Sequence, residues 1–350
     1  MAATNPEWLE YDPASGFFSI LRLGTIPTSS ADDQPADIMS NITEIKRTFD
    51  QEGFAILPAF YSAPEVDEVV EAIALRKLQR PMNVTVDLLD TGERSLLGLL
   101  SPHEIKTRRM KINDLYLDME NVRELALSER IAAILSELLG NAPALCNSLY
   151  FEKGSQQPAH VDAIYMTPKT DDHLIAIWVA LEDTHADAGQ LEYYPGSHKI
   201  EQMVFSNGKR HFVHEEMPQW HSYMDSQVEK HGLKKTAFSA KKGDVLIWHA
   251  NLLHGGGPIA DPNRTRKSLV FHYFSESDAR TLGSRLEPKS CGYWIDRPIQ
   301  EIPESAFKRA EFERAYLAKY PDVANAVSSG EFLSGTHHYE LCGRSEGRSV

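Results

Sequence analysis

Leu174-Ile175-Ala176-Ile177-Trp178-Val179-Ala180-Leu181 is an unbroken apolar run, rich in β-branched and aromatic side chains and flanked by polar clusters. That texture belongs to a buried strand. It recurs over residues 147–151, 190–194, 244–249 and 267–274, with turn-forming clusters between the runs. Short strands at this spacing, with helical signals grouped ahead of them, predict a mainly β fold: an antiparallel sandwich or barrel with a helical buttress, and not a βαβ repeat. No glycine-rich phosphate loop follows any of these strands, which argues against a nucleotide cofactor.

Upstream, Asn41 with Glu44 and Ser62 with Glu65 both have capping-box spacing, in which the first side chain accepts from free helix N–H groups and the Glu reaches back. Gly53 would end the first helix. Val66, Val69, Val70 and Ile73 fall on one face of the second, and Ile131, Ile134, Leu135 and Leu138 on one face of a third that stops at Gly140. Residues 1–40 lack periodicity and are expected to form an irregular arm. Residues 41–302 form the main domain. The tail, 303–350, is helical and aromatic, with Phe307, Phe312, Tyr316, Leu317, Tyr320 and Val323, and reads as a small module with no obvious catalytic group. Its apolar residues are too many to leave in water, so it should dock on the main domain, a second copy or a protein partner.

Composition narrows the function. A net charge of −14 is unsuited to nucleic acid, whose phosphates call for clustered Lys and Arg. No segment reaches the roughly 18 to 20 apolar residues of a membrane helix, and residues 1–18 lack a basic segment followed by an apolar one, so a cytoplasmic protein without membrane insertion is expected. The three cysteines, Cys146, Cys291 and Cys342, lie far apart and suggest neither a disulfide framework nor a cysteine-rich zinc site.

The chemistry centres on histidine. His160-Val161-Asp162 follows a predicted strand and a turn, and residues two apart at a strand end point to the same side. A second such pair, His185 with Asp187, runs directly into Gly189 and reads as an exposed hairpin turn. The third ligand must come from a distant strand: His254 follows the apolar run ending at His249, and Gly255, Gly256 and Gly257 let the backbone pass close to a bulky ligand. His249 itself reads as a hydrogen-bonded core histidine. Two imidazoles and one carboxylate on one face of an octahedron leave three positions open, the arrangement of non-haem iron(II) oxygenases. A co-substrate that chelates through two oxygens, together with O2, would fill them. Its far end needs a charged anchor. Arg266 begins the last clear strand and shares a face with Ser268 and Val270, and a guanidinium beside a hydroxyl suits a carboxylate.

These residues, with Glu52-Gly53-Phe54, Gln157-Pro158-Ala159 before His160, Trp178-Val179-Ala180-Leu181-Glu182-Asp183, Tyr194-Pro195-Gly196-Ser197-His198-Lys199, Lys242-Gly243-Asp244 and Arg266-Lys267-Ser268, resemble the phytanoyl-CoA dioxygenase family over residues 49–274. The resemblance implies a double-stranded β-helix, a jelly-roll or cupin-like fold. It implies Fe(II), with 2-oxoglutarate as co-substrate and O2, and makes His160, Asp162 and His254 the metal ligands and Arg266 the partner of the 2-oxoglutarate side carboxylate. Trp178 matches a position lining the co-substrate pocket, and Lys111, in Met110-Lys111-Ile112, a basic residue that reaches it. His198 belongs to an architectural signature and not to catalysis.

Relatives that halogenate have a small residue where this chain keeps Asp162, so the resemblance points to hydroxylation, with 2-oxoglutarate converted to succinate and CO2. The expected substrate is a small molecule or a carrier-linked metabolite, and because no polybasic patch marks a CoA phosphate site, acyl-CoA ranks below a small polar or natural-product substrate. Two rivals remain: a catalytically silent β-helix that binds a ligand or partner, and a zinc hydrolase, which would leave Arg266 and Ser268 without a role. The tail resembles a short helical module found beside bacterial glycosyltransferases.

Overall fold

The computed structural model describes residues 9–12, 17–20 and 35–350, with side chains from residue 42 onward. The chain divides into two units, residues 1–45 and 46–350. In the first, β1 (Leu9–Asp12) pairs antiparallel with β2 (Phe17–Ile20), so the stretch expected to be irregular carries a short ladder; residues 1–8, 13–16 and 21–34 of that arm lie outside the described residues. Helix α1 (Pro35–Glu52) opens at a proline, which suits a first helical position because its N–H would be unpaired there anyway. Asn41 therefore lies inside α1 and does not cap it.

The second unit takes in the end of α1 from Lys46 and continues with β3 (Phe54–Leu57), α2 (Ala63–Gln79), β4 (Thr85–Leu88), β5 (Arg94–Leu96), α3 (Pro102–Thr107) and β6 (Met110–Asn113). Helices α4 (Leu115–Asp118), α5 (Glu120–Ala126) and α6 (Glu129–Leu139) follow. The Ser62–Glu65 box forms as expected: Ser62 N donates to the Glu65 carboxylate at 2.8 Å, and Val66, Val69 and Ile73 are buried. The strand-rich half comprises β7 (Pro143–Phe151), β8 (Leu174–Ala180), β9 (Leu191–Tyr193), β10 (Thr236–Phe238), β11 (Val245–His249), β12 (His254–Gly256) and β13 (Ser268–Ser275). Between β9 and β10 lies α7 (Met217–Lys230); after β13 come α8 (Glu276–Thr281) and the hairpin β14 (Arg285–Lys289) and β15 (Gly292–Asp296).

Two sheets form the double-stranded β-helix. The large one runs β3-β11-β8-β13-β7-β6-β4-β5, and the small one β10-β9-β12. Their pairings are antiparallel; the hairpin adds one parallel contact, β15 beside β7. The run that opened the sequence reading is apolar throughout because β8 is covered on both faces. Trp178 and Ala176 point inward with Val270, Leu246 and Trp248 toward Leu191, Tyr193 and Phe238 of the small sheet. The intervening Ile175, Ile177 and Val179 point outward and are fully buried, on the side where α6 packs on β7 and β8. Two hydroxyls fix that buttress: Tyr61 donates to Leu125 O and Tyr273 to Ala126 O, each at 2.7 Å.

The tail forms α9 (Glu304–Lys319), α10 (Pro321–Ser329), α11 (Gly335–His338) and a π-helical turn, Tyr339–Gly343. Tyr316, Val323 and Val327 make its small core, with Phe312, Leu317, Tyr320, Phe332 and Tyr339 packed around them. It is seated on the body through Arg309, which donates to Glu104 at 2.7 Å and lies 3.2 Å from Glu93. Glu104 is fully buried and also accepts from Ser101 N at 2.9 Å, so one carboxylate ties α9 to the cap of α3.

Candidate metal centre

Backbone pairing brings the first and third candidate ligands together. His160 and His254 form an isolated antiparallel bridge, N to O at 2.8 and 2.9 Å in the two directions. Directly opposed residues present their side chains on one face, and the two rings sit 4.4 Å apart, centroid to centroid. The glycines after His254 make this approach possible, though not by making room for a ligand. A Cβ on Gly255 would lie 2.8 Å from Gln157 O, and one on Gly256 2.7 Å from Gln156 N, so they admit the segment that carries His160. The signature around Gly196 holds the other flank: Ser197, fully buried, accepts from Leu253 N at 2.8 Å.

Asp162, two residues beyond His160, completes the group, with Oδ1 at 3.7 Å from His160 Nε2 and 3.8 Å from His254 Nε2. All three side chains are buried and offer donor atoms within 4.8 Å of one another. Each imidazole is oriented by its own chain. His160 Nδ1 donates to Pro158 O and His254 Nδ1 to Leu252 O, both at 2.9 Å, which leaves Nε2 with a free lone pair. Burial and the neighbouring His254 press the His160 pKa down to about 4, so the ring is neutral, as a ligand must be. Burial alone would raise the pKa of Asp162, but His254, His272 and His160 around it hold the carboxyl well below the usual range.

Two partners of Asp162 escaped the sequence reading. Trp248 Nε1 donates to Oδ2 at 2.7 Å, and His272 Nε2 lies 3.4 Å from the same oxygen. Oδ1 is thereby left to face the imidazoles. His272 continues the alternation Arg266, Ser268, Val270 by one step, a signal that was present in the sequence. From His272 a hydrogen-bonded line runs across the large sheet. Its Nδ1 bonds Asn147 Oδ1 at 3.1 Å, Asn147 donates to Asp114 at 2.8 Å, and Asp114 accepts from Arg297 at 2.7 Å.

Arg266 is 3% exposed, and its Nη1 donates to Gly189 O at 2.7 Å. Its Nε has no hydrogen-bond partner, nor have the buried Ser268 Oγ and Trp178 Nε1 near it; the guanidinium lies 5.8 Å from the Trp178 ring. Burial lowers the Arg266 pKa to about 10, which still leaves a cation at neutral pH. A buried cation beside orphaned donors is a cradle for an anion. Lys111 stands on the same rung as Ser268, with Phe151 between them, but is engaged by Asp87 at 3.1 Å.

The remaining histidines lie apart from this group. His249 bonds Asp172 at 2.8 Å, as a core histidine should. His185 and Asp187, 3.5 Å apart, are each about half exposed. His198 Nε2 donates to Asp50 O at 3.2 Å.

The model of the family described as phytanoyl-CoA dioxygenase (PhyH) matches residues 49–268, more than half of the chain. The chain belongs to that family. Within it, the probable alpha-ketoglutarate-dependent hypophosphite dioxygenase of Stutzerimonas stutzeri is 25% identical over 233 residues, 65% of this chain and 77% of its own. A phytanoyl-CoA dioxygenase domain-containing protein 1 homolog of Caenorhabditis briggsae is 21% identical over 188 residues, 45% of this chain; this chain spans 65% of its length. Among solved structures, the epimerase SnoN in complex with Fe3+, alpha ketoglutarate and nogalamycin RO is similar in fold, with a TM-score of 0.50 and 19% identity, over 74% of this chain and 100% of that one. The chain is thus a 2-oxoglutarate-dependent non-haem iron oxygenase, and its donor set fits both groups: two imidazoles with one carboxylate for iron, and a buried unpaired guanidinium for a carboxylate. Among the described residues no helix is long and apolar enough to cross a membrane.

Proposed function

We propose that this phytanoyl-CoA dioxygenase family member hydroxylates a small polar or carrier-linked metabolite, with release of succinate and CO2. His160, Asp162 and His254 hold Fe(II). Arg266, with Ser268 beside it, binds the far carboxylate of 2-oxoglutarate, and Trp178 walls the pocket. Lys111 reaches the same carboxylate once it leaves Asp87. The observation that carries this reading is Arg266, a buried cation with an orphaned Nε and no carboxylate partner among the described residues. Bound iron supplies oxygen activation; the chain's own residues orient the ligands, exclude water and present the substrate. Past Asp162 the buried line of His272, Asn147 and Asp114 is polar, while Tyr165 stands 6.0 Å from the His160 ring with Phe212 5.1 Å beyond it.

The same reading keeps residues 303–350 as a module with no part in oxidation, and places the protein in the cytoplasm, where its free thiols Cys146, Cys291 and Cys342 suit a reducing compartment. Its direct test is anaerobic loading with Fe(II) and 2-oxoglutarate, then O2 and a library of metabolites, with succinate as readout. A true substrate raises succinate and gains one oxygen. Binding of library compounds with no 2-oxoglutarate consumption, alone or with any of them, would instead make this a silent binding protein.

A second expectation follows from the indole. Trp248→Phe removes the donor to Asp162 Oδ2 while filling nearly the same space. Outer partners of metal ligands typically contribute about 10–100-fold in affinity, so Fe(II) binding should weaken by about that much while thermal unfolding changes little. Unaltered Fe(II) affinity would show that His272 alone positions the carboxylate.

A further inference from the structure

The tail, which the sequence reading left without chemistry, gathers a second set of metal-binding side chains. His338, Cys342 and Glu346 offer one donor atom each, all within 4.8 Å of one another. They fall four residues apart along the continuous winding of α11, the π-helical turn and the turn after it, so they project from one side. His338 is 5% exposed, and the Tyr316 hydroxyl, 3.1 Å from its Nδ1, holds the ring in place. Cys342 is half-buried, and Glu346 sits at the rim.

We propose that His338, Cys342 and Glu346 form a second metal site, selective for a zinc-like divalent ion, with water as the fourth ligand. The donor types carry the selectivity. Thiolate, imidazole and carboxylate suit a tetrahedral, borderline-soft ion, whereas the His160–Asp162–His254 group contains no sulfur. On binding, the Cys342 thiol passes its proton to solvent and His338 enters as the neutral ring. Glu346 is free to turn inward. It now pairs with Arg348 at 2.6 Å, but that guanidinium also holds Asp322 at 2.7 Å and keeps a carboxylate when Glu346 leaves.

The site also answers a need of the fold. Only Tyr316, Val323 and Val327 are buried in the tail's apolar core, and Gly343 is packed so closely on Tyr316 and His338 that no larger residue fits there. So small a core gains little stability from burial, and a metal that binds only the folded form adds its binding free energy to it. The ion is a staple for the module and takes no part in oxidation.

The test uses the full-length chain, stripped of metal and titrated with Co(II). A thiolate bonded to Co(II) gives an intense near-ultraviolet charge-transfer absorption that the sulfur-free triad cannot give. The band is expected in the wild type and in Cys291→Ser, and lost in Cys342→Ser, whose bound metal falls by about one equivalent per chain. Glu346→Gln, which leaves the core untouched, should weaken Co(II) binding at this site at least about tenfold. Absence of the band in the wild type, its survival in Cys342→Ser, or an unchanged affinity in Glu346→Gln would overturn the assignment. None of these outcomes depends on the iron centre.

Discussion

His160→Ala and His254→Ala are each expected to lose stoichiometric Fe(II) and all substrate oxidation while the chain stays folded. The loss should be near complete because each variant removes one of three protein bonds to the metal, a larger defect than the about 10–100-fold typical of an outer partner. Folding should survive because the two residues are joined through main-chain atoms. The bridge at 2.8 and 2.9 Å between them persists with alanine at either position. Removing either buried ring, hydrogen-bonded to Pro158 O or Leu252 O, still leaves the Asp162 carboxylate held by Trp248 and His272. Iron titration alongside far-ultraviolet circular dichroism checks both halves. His185→Ala is the control: its ring lies at the surface near Asp187, so iron binding should be unchanged. Full iron binding in either ligand variant, or loss in the control, would mean that the wrong histidine pair had been chosen.

The parts of this molecule legible in its sequence are those set by local pattern. Five strands of the barrel follow from runs rich in apolar, β-branched and aromatic residues; β8, buried on both faces with no polar position, is the extreme case, whereas β9 keeps Glu192 and β13 keeps His272. The capping box at Ser62 is local too, and it formed. Shorter strands were missed for want of length. β4, β5 and β6 have three or four residues each, too few for the alternation of Val86 and Leu88, or of Met110 and Ile112, to stand out, and their other positions hold Asp87, Arg94 and Lys111, which pair across strands. The site divides in the same way. His160 with Asp162, and Arg266 with Ser268, are pairs two residues apart. The bond from Trp248 to Asp162 spans 86 residues and exists only because two sheets face each other. A tryptophan in an apolar strand carries no mark of its one polar contact. The glycines after His254 were legible as a close approach, but what approaches, the 156–157 segment, was not.

Arg266→Ala should raise the apparent constant for 2-oxoglutarate at least about a hundredfold. The argument rests on what the pocket lacks. Among the described residues Arg266 has an unpartnered Nε, Gly189 O as the acceptor of its side chain, and no carboxylate to neutralise its buried charge. When the side carboxylate of 2-oxoglutarate arrives, the two charges are desolvated together. Removing one partner of such a pair then costs about 3–5 kcal/mol, because the other is left buried and unpaired, and about 3 kcal/mol already exceeds a hundredfold. Arg264 cannot take over: it is about half exposed and turned to Asp261 at 3.4 Å. Arg266→Lys should recover part of the affinity, since it restores charge without the two-pronged geometry. The measurement is 2-oxoglutarate dependence at saturating Fe(II), with iron affinity determined separately. If the constant does not move while iron binding is intact, the carboxylate is held by Lys111, released from Asp87, and Arg266 serves only to pin Gly189 against the barrel.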